Sequence, residues 1–183
     1  MRAMSVVSVV VLCVLCACAS APKIDYYTLG MESSGQTRPD VNLVVERLRT
    51  TEALARSQIM ISASATQVEY YARDQWAGSV GETVQQKLAA EFGPPVEGRR
   101  TLTVSGTVLA CEQVDVAGGA EARMKLGIVI RDPAKPRYEA PLLEKNYEAR
   151  RSVSEPSSAA VVKGLSQCAE RIAAEIATDA STL

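Results

Sequence analysis

The middle of the chain alternates apolar and polar residues over three consecutive stretches. Apolar side chains recur at alternate positions of residues 102–110 and of residues 124–131, which is the two-residue period of a half-buried strand. Gly118-Gly119 separates these two stretches, and the prolines of residues 132–136 predict a second turn. Residues 137–151 continue as a weaker, more highly charged strand. The pattern predicts a meander of three long antiparallel strands.

Four shorter stretches with strand character precede this meander. Residues 26–29 are β-prone, and residues 41–48 have apolar side chains with a period of two. Residues 58–62 and 67–71 predict two further short strands. Residues 52–55 follow two threonines, either of which could cap a single helical turn. β-Structure is therefore expected at the beginning of the domain as well.

A first long helix is predicted between these short strands and the meander. Asp74 is placed to cap a helix that starts near Trp76. Gly93-Pro94-Pro95 ends it, because glycine commonly follows the last helical residue and proline cannot continue the helix. The apolar face of this helix consists of Trp76, Val80, Val84 and Leu88.

A second long helix is predicted near the end of the chain. Ser154 or Glu155 caps it, and Pro156 occupies the first turn, where a missing N–H group costs nothing. The apolar face of this helix consists of Val161, Leu165, Cys168, Ile172 and Ile176.

The order of these elements predicts the class of fold. Strands are followed by a helix, then by three strands and a last helix, and this order favours a sheet with helices packed on it. We expect a single α/β domain over residues 26–183. Its sheet should be mixed or antiparallel, with about five to six strands and two main helices packed on it.

The N-terminal segment has the pattern of an export signal. The apolar run over residues 6–15 is too short to span a bilayer, which needs about 20 residues, but suits the core of a signal peptide. It ends in Leu15-Cys16-Ala17-Cys18, which looks like the lipobox at which a bacterial lipoprotein is cut and acylated. We predict a signal peptide at residues 1–17, a lipid on Cys18 and a short linker at 18–25. The alternative is an ordinary signal cut after Ala17 or Ala19.

Composition narrows the classes of function. The whole sequence has no histidine, so the usual general base of serine and cysteine hydrolases and the commonest zinc ligand are missing. Loss of residues 1–17 removes one basic side chain and leaves 19 Lys and Arg against 21 Asp and Glu, which gives no reason to expect nucleic-acid binding. We nominate no catalytic residue and no metal site, and expect no cofactor apart from the covalent lipid on Cys18.

Two cysteines remain in the domain after the signal peptide is removed and Cys18 is acylated. Cys111 and Cys168 would lie in an oxidising compartment, where disulfides persist. They could form one disulfide or stay as two buried free thiols. The sequence leaves both alternatives open, because it does not show whether their Cα atoms come close enough.

Three aromatic residues are candidates for binding a partner. Tyr70 and Tyr71 are adjacent in a predicted strand and therefore point to opposite faces, so one is expected to be buried and the other exposed. Trp76, the single tryptophan, is either a contact for a partner protein or lipid, or the first core anchor of the predicted helix.

Several short motifs, in the order in which they occur along the chain, resemble those of the ABC-type transport auxiliary lipoprotein family, which includes the paraquat-inducible C-type lipoproteins. The resemblance covers nearly the whole chain after Cys18, and its most specific part is the segment with Glu69-Tyr70-Tyr71-Ala72 and Trp76-Ala77. After the lipobox it rests on Tyr26-Tyr27-Thr28-Leu29, Val44-Val45-Glu46-Arg47-Leu48, Ala53-Leu54-Ala55-Arg56-Ser57-Gln58-Ile59, Glu69-Tyr70-Tyr71-Ala72 and Trp76-Ala77.

The resemblance implies a small α/β domain held by lipid on the periplasmic face of an outer membrane. There it would act without catalysis as a docking or bridging subunit. Its partners would be an ABC permease and ATPase and a periplasmic protein with an MCE domain, in a system that moves lipid or another hydrophobic compound. Assembly into a homo-oligomer, such as a ring, is also implied. Ala19, rather than aspartate, after Cys18 favours the outer membrane.

Two other classes of function remain as alternatives. One is a structural or assembly lipoprotein of another envelope complex. The other is an envelope hydrolase that uses a carboxylate or a Ser-Lys pair, against which the missing histidine counts.

Overall fold

The structure, a computed structural model, describes residues 23–35, 37 and 39–183. The predicted signal peptide at residues 1–17 and the predicted lipidation site at Cys18 lie outside the described residues. The part of the domain that the structure describes begins at Lys23.

One mixed sheet of eight strands forms the framework of the domain. The predicted α/β class and the two main helices are confirmed, but the sheet has more strands than the five or six expected. The two-residue strand at 49–50 is too short to show any alternation in the sequence. The strands are β1 (Asp25–Tyr27), β2 (Asn42–Val45), β3 (Arg49–Thr50), β4 (Gln58–Ser62), β5 (Val68–Trp76), β6 (Thr101–Val116), β7 (Gly119–Arg131) and β8 (Leu143–Val153).

The long strand β6 lies at the centre of this sheet. On one side it pairs antiparallel with β7, and β7 pairs antiparallel with β8, which confirms the predicted meander. On its other side β6 pairs in turn with β2, β3 and β4, all parallel to it. β5 pairs antiparallel with β4, and β1 runs parallel to β5 at the edge. β6 therefore connects the N-terminal strands to the meander.

The first helix, α1 (Val80–Phe92), begins later than the sequence predicted. Asp74 does not cap it, because Asp74 and Trp76 belong to β5, which runs nine residues to Trp76. Ser79 is the N-cap, and its side chain accepts a hydrogen bond from the backbone N–H of Glu82 at 3.2 Å. The predicted end is confirmed, since Gly93 caps the helix with a φ of 74°.

The second helix, α2 (Ser158–Ala180), also begins later than predicted. Neither Ser154 nor Glu155 caps it, and Pro156 precedes it instead of occupying its first turn. Ser157 is the N-cap and accepts a hydrogen bond from the N–H of Ala160 at 3.2 Å. A serine with an extended backbone can act as an N-cap. Because several serines lie close together here, the sequence does not identify which one caps the helix.

Both helices pack on one face of the sheet, and the core lies between. In β7, buried residues alternate with partly buried ones along the whole strand, as expected when only one face is covered. The opposite, helix-free face carries the polar positions. The residues predicted for the apolar faces of both helices are all buried. Trp76 is buried in the sheet, and the others are buried on the helices: Val80, Val84, Leu88, Val161, Leu165, Cys168, Ile172 and Ile176.

Within the described residues, neither helix combines the length and the apolar character that crossing a bilayer requires.

Gly106 lies where β6 and β7 approach each other too closely for a side chain. A Cβ atom at this position would meet the carbonyl oxygen of Gly127 at 2.0 Å. We expect Gly106→Ala to lower the free energy of unfolding by about 3 kcal/mol, because the strands must separate to admit the methyl group. Urea unfolding of the domain measures this. Gly30→Ala is the control, since its nearest neighbour, Ser166 Oγ, is 3.8 Å away, and an equal effect of both substitutions would contradict the prediction.

Candidate functional site

The strand that follows the predicted anchor is held firmly at the sheet edge. This strand, β1, pairs with β5. In addition, the Tyr27 carbonyl accepts a hydrogen bond from the N–H of Ala77 at 2.8 Å. Ser158 Oγ lies 2.7 Å from a carboxylate oxygen of Asp74 and 3.0 Å from the Tyr27 hydroxyl. The Ser158 proton goes to the carboxylate, and Tyr27 donates to Ser158. These contacts connect β1, β5 and the start of α2.

A buried ionic cluster holds the chain just after β1 against both helices. Lys87 on α1 is 0% exposed, and its Nζ donates to Glu91 at 2.7 Å and to Glu170 on α2 at 3.1 Å. The same nitrogen donates to the backbone carbonyl of Glu32 at 2.8 Å. Glu91 in turn accepts from the N–H of Ser34 at 3.0 Å and from its hydroxyl at 2.7 Å. We call Lys87, Glu91 and Glu170 the ionic cluster.

The ionisation of Glu91 depends on the groups around it. Burial by itself would raise the pKa of this carboxyl group. Hydrogen bonds from Lys87 and Ser34 outweigh the burial and hold the pKa of Glu91 below its ordinary value. Glu91 is therefore a carboxylate at neutral pH, and its charge is matched by that of Lys87.

Sequence reasoning did not find this cluster, although a signal was present. Lys87 and Glu91 are four residues apart, the spacing at which oppositely charged side chains meet on a helix. They also lie beside Val84 and Leu88 on the buried stripe of α1. Charged residues within an apolar stripe indicate a buried pair better than a solvated face.

The structure places Tyr70 and Tyr71 on opposite faces of β5, as predicted. The Tyr70 hydroxyl donates to the backbone carbonyl of Ala53 at 3.0 Å, and Arg56 lies over its ring at 4.7 Å. The Tyr71 hydroxyl donates to the side-chain oxygen of Gln113 at 2.6 Å. Both side chains are partly buried, so the expectation of one buried and one exposed tyrosine is wrong. Both hydroxyl groups form hydrogen bonds within the domain.

Trp76 is in the core of the domain. It is 4% exposed and ends β5 instead of opening a helix. An indole at this depth presents almost no surface to a partner protein. The structure therefore agrees with the interpretation of Trp76 as a core residue. It differs in that Trp76 belongs to a strand and not to a helix.

The two cysteines of the domain are both buried free thiols. The alternative without a disulfide is therefore the one that the structure shows. Burial raises the pKa of Cys168 to about 11 and raises that of Cys111 further. Thiols with raised pKa values and no exposure are poor nucleophiles.

Ion pairs cross the helix-free face of the sheet. Arg123 on β7 pairs with Glu112, a carboxylate that is 0% exposed and also accepts from Ser62 Oγ at 2.9 Å. On β8, Arg150 pairs with Glu121 at 3.2 Å and with Glu148 at 3.0 Å. These pairs satisfy one another within the domain, and among them only Glu112 is fully desolvated.

A cleft of about 380 Å³ opens at the end of the sheet where β7 stops. Arg131 forms one wall and donates to the backbone carbonyl of Glu139 at 2.6 Å, which holds the loop after β7. Asp132 pairs with Arg100 at 3.1 Å. In the same loop the side chain of Tyr138 is 89% exposed. The cleft is thus walled by charged groups, with an exposed aromatic ring nearby.

The described part of the chain has no group of three or more Cys, Asp or Glu side chains placed to hold a metal ion.

Two solved structures share this fold. The crystal structure of an uncharacterized protein gives a TM-score of 0.68 at 16% identity, covering 87% of this chain and 100% of the other. A DUF330-family protein from Xanthomonas campestris gives a TM-score of 0.68 at 12% identity, with coverage of 88% and 95%. At these identities the likeness shows the fold alone. A comparison with curated proteins finds no match.

The family comparison covers most of the sequence. The family described as "ABC-type transport auxiliary lipoprotein component" matches residues 27–177. The matched region runs from the end of β1 to the last turn of α2 and includes every strand of the meander. The chain therefore belongs to the ABC-type transport auxiliary lipoprotein family.

Proposed function

We propose that this auxiliary lipoprotein is the non-catalytic docking subunit of a lipid transport system whose periplasmic component carries an MCE domain. The lipid on Cys18 would hold it on the periplasmic face of the outer membrane. The permease and ATPase of the system would act from the other membrane. Membership of the family supports association with an ABC-type transporter, and the finer assignment is our proposal.

The observation that carries this proposal is the short chain between the predicted anchor and a first strand that is firmly held in the domain. Seven residues separate Cys18 from Tyr26 in β1, and they span at most about 25 Å when extended. Hydrogen bonds to β5 and α2 then fix β1 in the domain. A domain attached in this way stays at the membrane surface with a restricted orientation, which suits a receiver for a partner that reaches across the envelope.

The best docking candidate on this domain is the loop beside the cleft. Tyr138 is the most exposed large hydrophobic side chain of the described residues, and tyrosine is enriched among the residues that contribute most to protein–protein binding. The loop follows Arg131, at the end of the sheet opposite to the hairpin between β6 and β7. Tyr138 thus lies far from the hairpin and accessible to a protein in the periplasm.

Co-purification from solubilised envelopes tests the proposal. We expect the acylated chain to retain the MCE-domain protein, and Tyr138→Ala to weaken this binding at least about thirtyfold, since loss of a strong interface tyrosine costs at least about 2 kcal/mol. Tyr26→Ala is the matched control, because Tyr26 is also an exposed tyrosine, at 63%. Retention of other envelope proteins without any MCE-domain protein would contradict the proposed partner.

A further inference from the structure

The strand register identifies one end of the sheet. Val68 at the start of β5 pairs with Ser62, and Ser62 pairs with Val114. Val116 ends β6 two residues later, next to the hairpin that leads into β7. Val68 and Val116 therefore lie close to the same end, which we call the hairpin end.

The N-terminal side of β1 faces this end. β1 runs parallel to β5, with Asp25 opposite Asp74, so the N-terminal side of β1 points towards Val68. β5 bulges, so its residues from Gln75 back to Val68 lie beside only Gln58 to Ser62 of β4, which is about 13 Å along the sheet. Asp25 is therefore about 10 Å short of the level of Val68. The chain from Cys18 to Asp25 reaches at most about 25 Å. An acylated Cys18 can therefore pass the level of Val68 by at most about 15 Å and that of Val116 by at most about 8 Å.

Exposed apolar side chains collect at this end and along β1. Val68 is 48% exposed, Val116 42%, Ile24 41% and Tyr26 63%. They share the helix-free face. Tyr27 pairs with the buried Trp76, so the alternate positions 24 and 26 turn away from the helices.

The position of Val68 and Val116 on that face follows from the same register. Val68 is two residues before Tyr70, and Val116 is four residues after Glu112. Tyr70 and Glu112 are both opposite Met60, and Glu112 takes part in the ion pair on the helix-free face. An even number of residues along a strand returns the side chain to the same face.

We infer that the hairpin end of the helix-free face rests on the lipid bilayer, with Ile24, Val68 and Val116 as the side chains that contact lipid. This inference rests on the proposed acylation of Cys18. The tether supplies the argument for the occupant, because it leaves at most about 8 Å between Val116 and the acyl chains, less than the diameter of one helix. Aliphatic side chains gain by leaving water. Tyr26 is on the same face but lies opposite Gln75, about 13 Å farther from this end than Val68.

Tryptophan fluorescence on the intact lipoprotein tests this contact. Val68→Trp and Val116→Trp are made in the acylated chain, which is reconstituted in phosphatidylethanolamine and phosphatidylglycerol vesicles with or without brominated acyl chains. Val96→Trp is the matched control, since Val96 is 48% exposed, like Val68. It lies at the opposite end, where its N–H donates to Asn42 beside the start of β6. Trp76 adds the same buried background to all three.

We expect brominated lipid to quench the added tryptophan at positions 68 and 116 at least about twofold more than at position 96, because quenching requires contact with the acyl region. The protein must float with the vesicles, and mass spectrometry must show the lipid on Cys18. If brominated lipid then quenched all three tryptophans equally, the membrane contact would be overturned and the anchor would stand. If the added tryptophans at positions 68 and 116 became buried only when the protein self-associates, this would also overturn the membrane contact, in favour of a second copy of the chain. Absence of the lipid from Cys18 would overturn both proposals.

Discussion

Replacing Cys18 by serine is expected to move the protein from the membrane fraction to the soluble periplasmic fraction. The hydroxyl group of serine cannot take the place of the thiol in the lipid-transfer step that the lipobox pattern predicts. Each buried methylene of an acyl chain contributes about 0.8 kcal/mol to membrane binding. Within the described residues no helix offers a second anchor. The three apolar side chains proposed to contact lipid are too few to retain the domain once the acyl chains are lost.

The measurement is fractionation of envelopes followed by mass spectrometry of the N-terminal peptide. Cys16→Ser is the matched control, because it changes a cysteine of the same segment that the proposed cleavage removes. It should leave the protein in the membrane fraction. If Cys18→Ser stayed fully membrane-bound, or if the unsubstituted protein were soluble after an ordinary cut at Ala17 or Ala19, the anchor would be wrong.

The meander was predictable because its sequence carries a strong, repeated signal. β7 alternates over its whole length, and a helix could not bury one face of such a pattern. The glycine pair at 118–119 and the prolines at 133 and 136 mark both connections. The parallel pairing of β6 with β2, β3 and β4 had no such signal. It joins residues far apart in the sequence, and the pattern of a strand of two to five residues does not identify its partner.

The predicted starts of both helices were wrong for the same physical reason. Asp, Ser and Glu near a helix start can each accept from free backbone N–H groups, and the sequence offers several of them. Asp74 is the predicted cap of the first helix, but Ser79 is followed three residues later by Glu82, the spacing of a capping box. Asp74 instead accepts from Ser158 on α2, a contact that depends on the complete fold.

The candidate surfaces were harder to predict than the fold. Exposure decides whether an aromatic residue can bind a partner, and exposure depends on tertiary packing. Trp76, a sequence candidate, is 4% exposed, whereas Tyr138, which appeared only as a residue of the weakest predicted strand, is 89% exposed in the loop before β8. Local pattern does not distinguish these two environments.

Lys87→Met is expected to cause the largest loss of stability among the substitutions considered. Lys87 and Glu91 are both nearly unexposed, and Met fills a similar volume without a charge. The carboxylate of Glu91 would then stay buried without its cation, and the carbonyl of Glu32 would lose its donor. Breaking a buried pair from one side typically costs about 3–5 kcal/mol. Urea unfolding of the domain from Ala19 onward measures the change.

The loss should depend on pH in a defined direction. In the unsubstituted protein the pKa of Glu91 lies below its ordinary value, so its contribution is complete at neutral pH and is lost as pH falls through the lowered pKa. In Lys87→Met the burial of Glu91 is no longer offset by a cation, and its pKa should rise above that of the unfolded chain. The variant then gains relative stability on acidification. The difference between the two proteins should therefore be largest near pH 7 and smaller near pH 4.

A double substitution separates the buried charge from a simple loss of packing. Lys87→Met with Glu91→Leu removes both members of the buried pair, and we expect it to recover part of the stability lost by Lys87→Met alone. The carboxylate of Glu170 remains, but it is 32% exposed and therefore solvated. Arg171→Met is the control for an ion pair at the same spacing on α2, where Arg171 and Glu175 are 57% and 40% exposed. It should change stability by no more than about 0.5 kcal/mol. If Lys87→Met were as mild as Arg171→Met, the ionic cluster would not be what holds the chain after β1 against the helices.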